Sequence, residues 1–337
     1  MRKSSIRKAT LVDVARAAGV GPMTVSRTIN GHPYVSEATA KRVHAAIRKL
    51  DYRPNHAARM LTGKLSKSIG LIVPDVADPF FSVVCRGVQQ AAREAGYLVW
   101  LAVSDNDPLT EAAEIEQMTN HPVDGILLAP VDSRSKHLKT AAAASIPIVT
   151  IDRPIEIAST DSVEVENRLG AHMVMEHLRS HGYERIVCVA TDFHLRSIKL
   201  RVAAYEEHLR RARLPRKKLV LKNETDVLPT LRSVFDSVER PDALFTTNNI
   251  CTTTVIQSLH DLGIRIQRDV ALAGFDDVDF YALLKPSITT ISQPAADLGR
   301  TATRVLFDRI HHLGPSSNVR MVLPVSLVLR ESCGCKQ

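Results

Sequence analysis

Residues 10–30 read TLVDVARAAGVGPMTVSRTIN. Apolar side chains at Leu11, Val14, Ala15 and Ala18 recur three and four apart, which is one face of a short helix. Thr10 stands where an N-cap belongs. Gly19 stops the helix and supplies the positive φ that a tight turn needs. Pro22 suits the first turn of a second helix. Val25 and Ile29, four apart, point back into a shared core. Outward from this stretch, a third helix starts near Ser36 and carries Ala40, Val43, Ala46, Ile47 and Leu50 on one face, with Pro54 ending it. The pattern predicts a three-helix unit containing a short-turn helix pair.

The charge around that unit points to a polyanion. Residues 1–68 hold 14 Lys and Arg against the acids Asp13, Glu37 and Asp51, a net of +11. The whole 337-residue chain carries +8, so residues 69–337 carry −3. A basic head on a near-neutral body is the electrostatic footprint of a nucleic-acid binder. A solubilising tail is disfavoured, because the basic residues interleave with helical apolar spacing. With Val25 and Ile29 inward, Met23, Thr24 and Arg27 face outward, flanked by Ser26 and Asn30. Arg pairs bidentately with guanine, Thr and Met meet the thymine methyl, and Arg, Thr and Ser bind phosphates.

From residue 69 the pattern changes. Apolar runs at 69–73, 98–103, 125–129, 147–151, 185–190, 243–247 and 270–275 alternate with helical stretches at 81–95, 111–120, 169–181 and 252–262. Such alternation predicts parallel sheets covered by helices on both faces. Many of the strands run into polar turns: PDVADP, SDNDP, APVD, IDRP, ATD, TTNN and GFDD. Ligands of open α/β sheets bind beyond the carboxyl ends of the strands, so these turns predict a polar small-molecule cleft.

Other classes fail on inventory. The glycine-rich phosphate loops and the G-x-S-x-G elbow are absent, which argues against an enzyme. Asp13 and Arg16 interrupt any apolar signal-peptide core, and no apolar run is long enough for a membrane span. A cytoplasmic location is expected, with no membrane partner. The five cysteines, Cys85, Cys188, Cys251, Cys333 and Cys335, are odd in number, as for reduced thiols. Cys333-Gly334-Cys335 offers a chelating or oxidisable pair. No second Cys or His pair stands nearby in sequence, and His172 and His177 are five apart rather than at H-x-x-x-H spacing. Neither a metal site nor a cofactor is therefore expected. His44, His311 and His312 read as solvated helix positions.

The stretch from Thr10 to Leu61 resembles the headpiece of the lactose-repressor/galactose-repressor (LacI/GalR) family. The matching residues are Asp13-Val14-Ala15, Ala18-Gly19-Val20, Thr24-Val25-Ser26-Arg27, Asn30, Val35-Ser36, Thr39, and Tyr52 with Pro54-Asn55. The resemblance implies DNA contacts from Thr10, Leu11, Pro22, Met23, Thr24, Ser26, Arg27, Asn30 and Tyr34. One departure is Gly21, where the family usually has a serine that caps the recognition helix and touches a phosphate. Its loss either weakens affinity or is offset by Pro22. The resemblance also implies a hinge helix over NHAARMLTG (55–63), ordered on operator DNA, with Asn55, Ala58 and Arg59 at the duplex and Leu61 wedged into the minor groove.

Segments through the body match in order, among them DGILLAP, IDRP, DSVEVEN, LFTTNN and SITTISQP. The implied fold is an N-terminal all-α helix-turn-helix headpiece (1–54), a hinge helix and linker (55–68), and an α/β periplasmic-binding-protein-like body (69–337) of two parallel-sheet lobes. The chain crosses between lobes three times, with one lobe at about 69–165 and 294–323 and the other at about 166–293 and 324–337. The implied effector cleft comprises Phe80, Phe81, Asp152, Arg153, Ser197, Arg201, Asn249 and Asp276. Carboxylates and amides suit hydroxyl-rich ligands, and aromatic rings pack on sugar faces. The expected protein is a sequence-specific repressor that binds a pseudo-palindromic operator as a homodimer under control of a sugar or sugar acid. The terminal RESCGCKQ lacks the heptad helix of tetrameric members. The alternatives are a solute-binding protein for a polar small molecule, or an activator or corepressor-dependent regulator.

Overall fold

In the computed structural model of the chain, residues 9–29, 34–52, 65–121, 123–132, 146–155, 160–191, 194–221 and 224–335 are described. They fall in two compact units, Met1–Ser66 and Lys67–Gln337. In the first, α1 (Leu11–Ala18) opens on a capping box. Thr10 Oγ1 accepts the Asp13 N–H at 3.3 Å, and the Asp13 carboxylate accepts the Thr10 N–H at 2.9 Å. Gly19, at φ 64°, closes α1 by donating its N–H to the Ala15 and Arg16 carbonyls. α2 (Pro22–Ile29) follows, then α3 (Glu37–Lys49), capped by Ser36. Val14, Ala15, Ala18, Val25, Val43 and Ala46 form the buried core, with Leu11, Val20, Ile29, Ile47, Leu50 and Tyr52 packed around it. None of the six buried side chains is larger than valine. In so small a core, caps contributing about 1 kcal/mol each are a large share of stability.

The second unit is built on two sheets. The first contains β1 (Ser68–Val73), β2 (Leu98–Val103), β3 (Ile126–Leu128), β4 (Ile148–Ile151), β5 (Asp161–Val165) and β11 (Arg320–Leu323). The second contains β6 (Ile186–Thr191), β7 (Lys217–Leu221), β8 (Ala243–Thr246), β9 (Ala271–Phe275), β10 (Thr289–Ser292) and β12 (Ser326–Val328). Their orders are β11-β5-β4-β3-β1-β2 and β12-β10-β9-β8-β6-β7. All neighbours pair in parallel except β12, which runs antiparallel to β10. Each sheet reverses direction beside its first strand, at the switch point where doubly wound folds bind ligands.

The sheets carry α4 (Pro79–Glu94), α5 (Pro108–Asn120), α6 (Asn167–Ser180), α7 (Arg196–Arg211), α8 (Val227–Phe235), α9 (Asn249–Asp261) and α10 (Ala295–Ile310). The chain leaves the first sheet after β5, returns to that lobe's core with α10, supplies β11, and passes back to the second sheet at β12. α10 packs on α4 at unusually close range. A Cβ on Gly87 would collide with the Ala296 carbonyl, and one on Gly299 with the Val84 carbonyl. Among the described residues, no helix is long and apolar enough to cross a membrane.

Strands β5, β7, β10, β11 and β12 lie outside the apolar runs of the sequence reading. β5 is fully buried yet contains Asp161 and Glu164. Arg309 makes that burial tolerable, pairing with Asp161 through Nε at 2.6 Å and Nη2 at 2.7 Å. Arg320 does the same for Glu164 at 2.7 Å. β7 and β11 are sheet edges with exposed charges, so their hydrophobic signal is weak.

Candidate functional site

The outer surface of α2 is short and sparsely polar. Pro22, Met23 and Arg27 are exposed, Thr24 and Ser26 are half-buried, and Val25 and Thr28 are buried. Thr28 satisfies its hydroxyl by donating to the Thr24 carbonyl at 2.8 Å. Tyr34 is exposed before the α3 cap. Thr10 is committed to the α1 cap, and Leu11 packs on the core. Gly21 needs no special backbone, and a side chain there would meet open space. Asn30, Asn55, Ala58, Arg59 and Leu61 lie outside the described residues.

Of the residues expected to line the effector cleft, Asp152, Arg153, Asn249 and Asp276 follow strands of the two sheets, and Phe80, Phe81, Ser197 and Arg201 lie in the first two turns of α4 and α7. Asp152, at φ 65°, follows β4, and its Oδ2 lies 3.6 Å from Arg153 Nε. The Arg153 guanidinium stands 5.5 Å over the Phe81 ring and donates to Asn106 Oδ1 and the Pro130 carbonyl at 3.3 Å each. Phe80 and Phe81 meet edge to face at 5.0 Å at the start of α4 and belong to the first lobe's core. In the second lobe, Arg201 on α7 is buried flat against Phe275, 3.6 Å from the ring centroid. It donates to Asn167 Oδ1 at 2.8 Å and the Thr247 carbonyl at 2.7 Å, and pairs with Asp276 at 3.6 Å. Asp276, at φ 73°, also accepts the Asn249 N–H at 3.3 Å and the side-chain amide of Gln293. Ser197 is buried in the first turn of α7.

Two details tie groups of the two lobes together. Asn249 Nδ2 donates to Asp78 Oδ1 at 2.7 Å, joining α9 of one lobe to the α4 cap of the other. Asp152 feels the charges of both Arg201 and Asp276. Burial pushes the Asp152 carboxyl above its usual range despite the opposing pull of Arg153 and Arg201. Burial also raises Asp78, against the hydrogen bond from Asn249.

Sequence reasoning missed part of the lining. Ser104 Oγ, Asp152 Oδ1, Thr191 Oγ1, Thr247 Oγ1 and Gln293 Oε1 are buried without a hydrogen-bond partner among the described residues. All five stand just past or at the ends of strands, after β2, β4, β6, β8 and β10. The polar turns SDNDP, ATD and TTNN contained Ser104, Thr191 and Thr247, whereas Gln293 fell outside the polar turns. Asp277, by contrast, is structural: it takes Arg330 at 2.7 and 2.9 Å and Thr290 at 2.6 Å. A separate groove of about 350 Å³ beside β5 and β11 is lined by Glu164, Arg196 and Arg320 and by none of the expected effector residues.

One expectation is overturned. The terminal cysteines do have a histidine pair beside them. His177 and His181 are four apart at the end of α6, and their ring nitrogens cluster with Cys333 and Cys335. The pairing spans about half the chain and arises only from tertiary packing.

Residues 10–55 match the lacI family of bacterial regulatory proteins, and residues 175–333 match a periplasmic binding protein-like domain. The HTH-type transcriptional regulator KdgR of Bacillus subtilis is 32% identical over 317 residues, covering 92% of this chain and 94% of KdgR. The solved structure of the transcriptional regulator CelR in complex with cellobiose shares 28% identity, with a TM-score of 0.71 over 96% of this chain and 99% of that one. The Lac repressor dimer bound to operator and the anti-inducer ONPF has the same fold, with a TM-score of 0.85 at 24% identity over 97% of this chain and 99% of that one. These relatives are transcriptional regulators, in keeping with the lack of enzyme motifs. With a helix-turn-helix head, a two-sheet body and a relative 32% identical over 92% of its length, the chain belongs to the lacI family of bacterial regulatory proteins.

Proposed function

We propose that the chain is a cytoplasmic repressor that binds a pseudo-palindromic operator as a homodimer and responds to a sugar or sugar acid held between its lobes. The observation that carries the effector half is a set of five buried polar atoms at strand ends of both sheets that have no hydrogen-bond partner among the described residues. Buried polar groups are normally hydrogen-bonded, and orphans at the carboxyl ends of parallel strands invite a ligand rich in donors and acceptors. Sugar hydroxyls supply both. Asp152 Oδ1 accepts from one hydroxyl, while the Ser104, Thr191 and Thr247 hydroxyls adapt as donor or acceptor. The cellobiose in the CelR complex agrees with this ligand class.

For DNA, α2 presents Arg27 and Met23 to the major groove, and the +11 head grips phosphates. Leu61 serves as the minor-groove wedge. A second copy covers the edge strand β2, where Leu98, Trp100 and Leu101 are exposed at 68, 53 and 45%. A ligand touching both lobes favours one interlobe angle, and so shifts the DNA-competent fraction only by its differential affinity for the two states.

A thermal-shift screen of sugars and sugar acids, followed by anisotropy on DNA selected by the purified chain, tests the proposal. A hit raises the Tm by mass action and changes operator affinity, the sign showing whether it induces or co-represses. Operator binding also falls steeply with salt. A chain that binds selected and random DNA alike, or whose hits leave operator affinity unchanged, refutes the reading.

A further inference from the structure

α6 begins at Asn167, which holds Arg201 in the cleft, and its last turn leads into His181. His177 lies ten residues beyond Asn167, about 15 Å along the helix at the usual rise, so the far end of α6 is remote from the effector residues. His177 and His181 are four positions apart, and that spacing puts both imidazoles on one helix face, with ring centroids 4.8 Å apart. Against this face packs the turn after β12. A short 3₁₀ segment, Glu331–Cys333, ends at Gly334 with φ 91°, and Cys335 then turns back beside Cys333. Glycine is needed there twice over, for its positive φ and because a Cβ would lie 2.8 Å from the Tyr183 hydroxyl. That hydroxyl donates to the Cys333 carbonyl at 3.1 Å and fixes the turn.

The candidate donor atoms all lie within 4.8 Å of one another. His177 Nε2 is 3.1 Å from Cys333 Sγ and 3.6 Å from Cys335 Sγ. His181 Nε2 is 3.4 Å from Cys335 Sγ, and the two sulfurs are 3.4 Å apart. Tetrahedral zinc, with bonds of about 2.3 Å to sulfur and 2.0–2.1 Å to nitrogen, spaces its donors roughly 3.4–3.8 Å apart. Four of the six separations, at 3.1–3.6 Å, lie within about half an ångström of those values, and the remaining two do not exceed 4.8 Å. Cys333 is buried, His177 and Cys335 are half-buried and His181 is exposed, so the site has both a dry side and an entry path. The Thr289 hydroxyl sits 3.0 Å from Cys333 Sγ and accepts the Arg330 N–H at 2.9 Å, an outer contact of the kind that orients a metal-bound thiolate.

We propose that His177, His181, Cys333 and Cys335 bind one zinc ion, which staples the last turn of the chain to the C-terminal end of α6. The two cysteines and two histidines fill a tetrahedral shell, which makes the site structural rather than catalytic. The ion joins segments 156 residues apart. It belongs to the second lobe and does not depend on which effector the cleft takes.

The test uses the full chain, purified reduced, with cobalt(II) as the spectroscopic probe and zinc as the competitor. The expected result is one equivalent of cobalt with the strong visible absorption of a tetrahedral thiolate site, bleached by zinc. Cys335→Ser and His181→Ala, chosen because neither residue is buried, each abolish the cobalt band and weaken zinc binding at least about tenfold. Zinc raises the Tm of the unaltered chain, a chelator lowers it, and His181→Ala is indifferent to both. If Cys335→Ser does not fold, His181→Ala and the chelator comparison decide alone. A reduced chain with both thiols titratable and no cobalt uptake overturns the proposal. So does a cobalt band that survives the His181 change, or a Cys333–Cys335 disulfide that forms in place of metal binding when zinc is offered.

Discussion

Arg27 stands on the exposed side of α2, opposite buried Val25, with Ser26 and Thr24 partly shielded beside it. In the proposed DNA complex, a guanidinium so placed would pair with guanine through two parallel hydrogen bonds. Arg27→Ala is expected to cost about 1–3 kcal/mol of operator binding while random DNA loses far less, measured by anisotropy on both. Equal losses on both would make Arg27 a phosphate contact only. Asp152 tests the body. Burial raises its carboxyl pKa, so the folded chain holds that proton more tightly than the unfolded chain does. Its ionisation therefore opposes folding, and the cost grows as pH rises from about 4, the unfolded value. Asp152→Asn should raise the effector-free Tm at neutral pH, with the gain shrinking towards pH 4, and should weaken effector binding. A variant less stable than its parent at pH 7 would show that Arg153 and Arg201 outweigh the burial of the carboxylate.

At the scale of elements, α4 and α10 meet through Gly87 and Gly299, each set against a carbonyl of the other helix. Backbone atoms cannot yield as a flexible side chain does, so an added methyl must push the helices apart. Gly299→Ala is expected to destabilise the body by about 1–3 kcal/mol, seen as a lower urea midpoint at unchanged slope. An unshifted midpoint would mean the helices are not in this contact. The headpiece relies on a different device. With only small side chains fully buried among the described residues of its core, its helices depend on end groups such as the Thr10–Asp13 box and the Gly19 turn. Those signals are local in sequence, and each helix of the head accordingly begins and ends close to where the spacing of residues 10–50 puts it.

At the scale of the whole molecule, the proposed homodimer would cover an apolar sheet edge. Leu98, Trp100 and Leu101 on β2 form such an edge, and burying Trp100 alone removes a large apolar surface from water. Trp100→Asp should shift the chain to monomer in sedimentation velocity. Operator affinity should then drop sharply, because one head engages only one half-site. A variant that stays dimeric would put the interface elsewhere. The interlobe contact between Asn249 and Asp78 is the other feature at this scale, since it links the α4 cap of one lobe to the α9 start of the other.

The helices of the head and the parallel α/β character of the body were determined by the sequence itself. Both follow from short-range periodicity, caps and turn residues, which act within a few positions of one another. The proposed effector residues Asp152, Arg201, Asn249 and Asp276 came from a family resemblance, and their polar strand-end turns from position alone. Other features were decided only by tertiary structure. Whether the Thr191, Thr247 or Gln293 side chain has a partner depends on what the other elements bring to it. Asp161 and Glu164 can occupy a buried strand only because Arg309 and Arg320 reach them from 148 and 156 residues away. The same holds for the end of the chain. The H-x-x-x-H spacing of His177 and His181 stands in the sequence, as does Cys333-Gly334-Cys335. Only the packing of the last turn against α6 makes them neighbours, because ligand geometry is a distance in space, and sequence spacing reports it only within a single turn of helix.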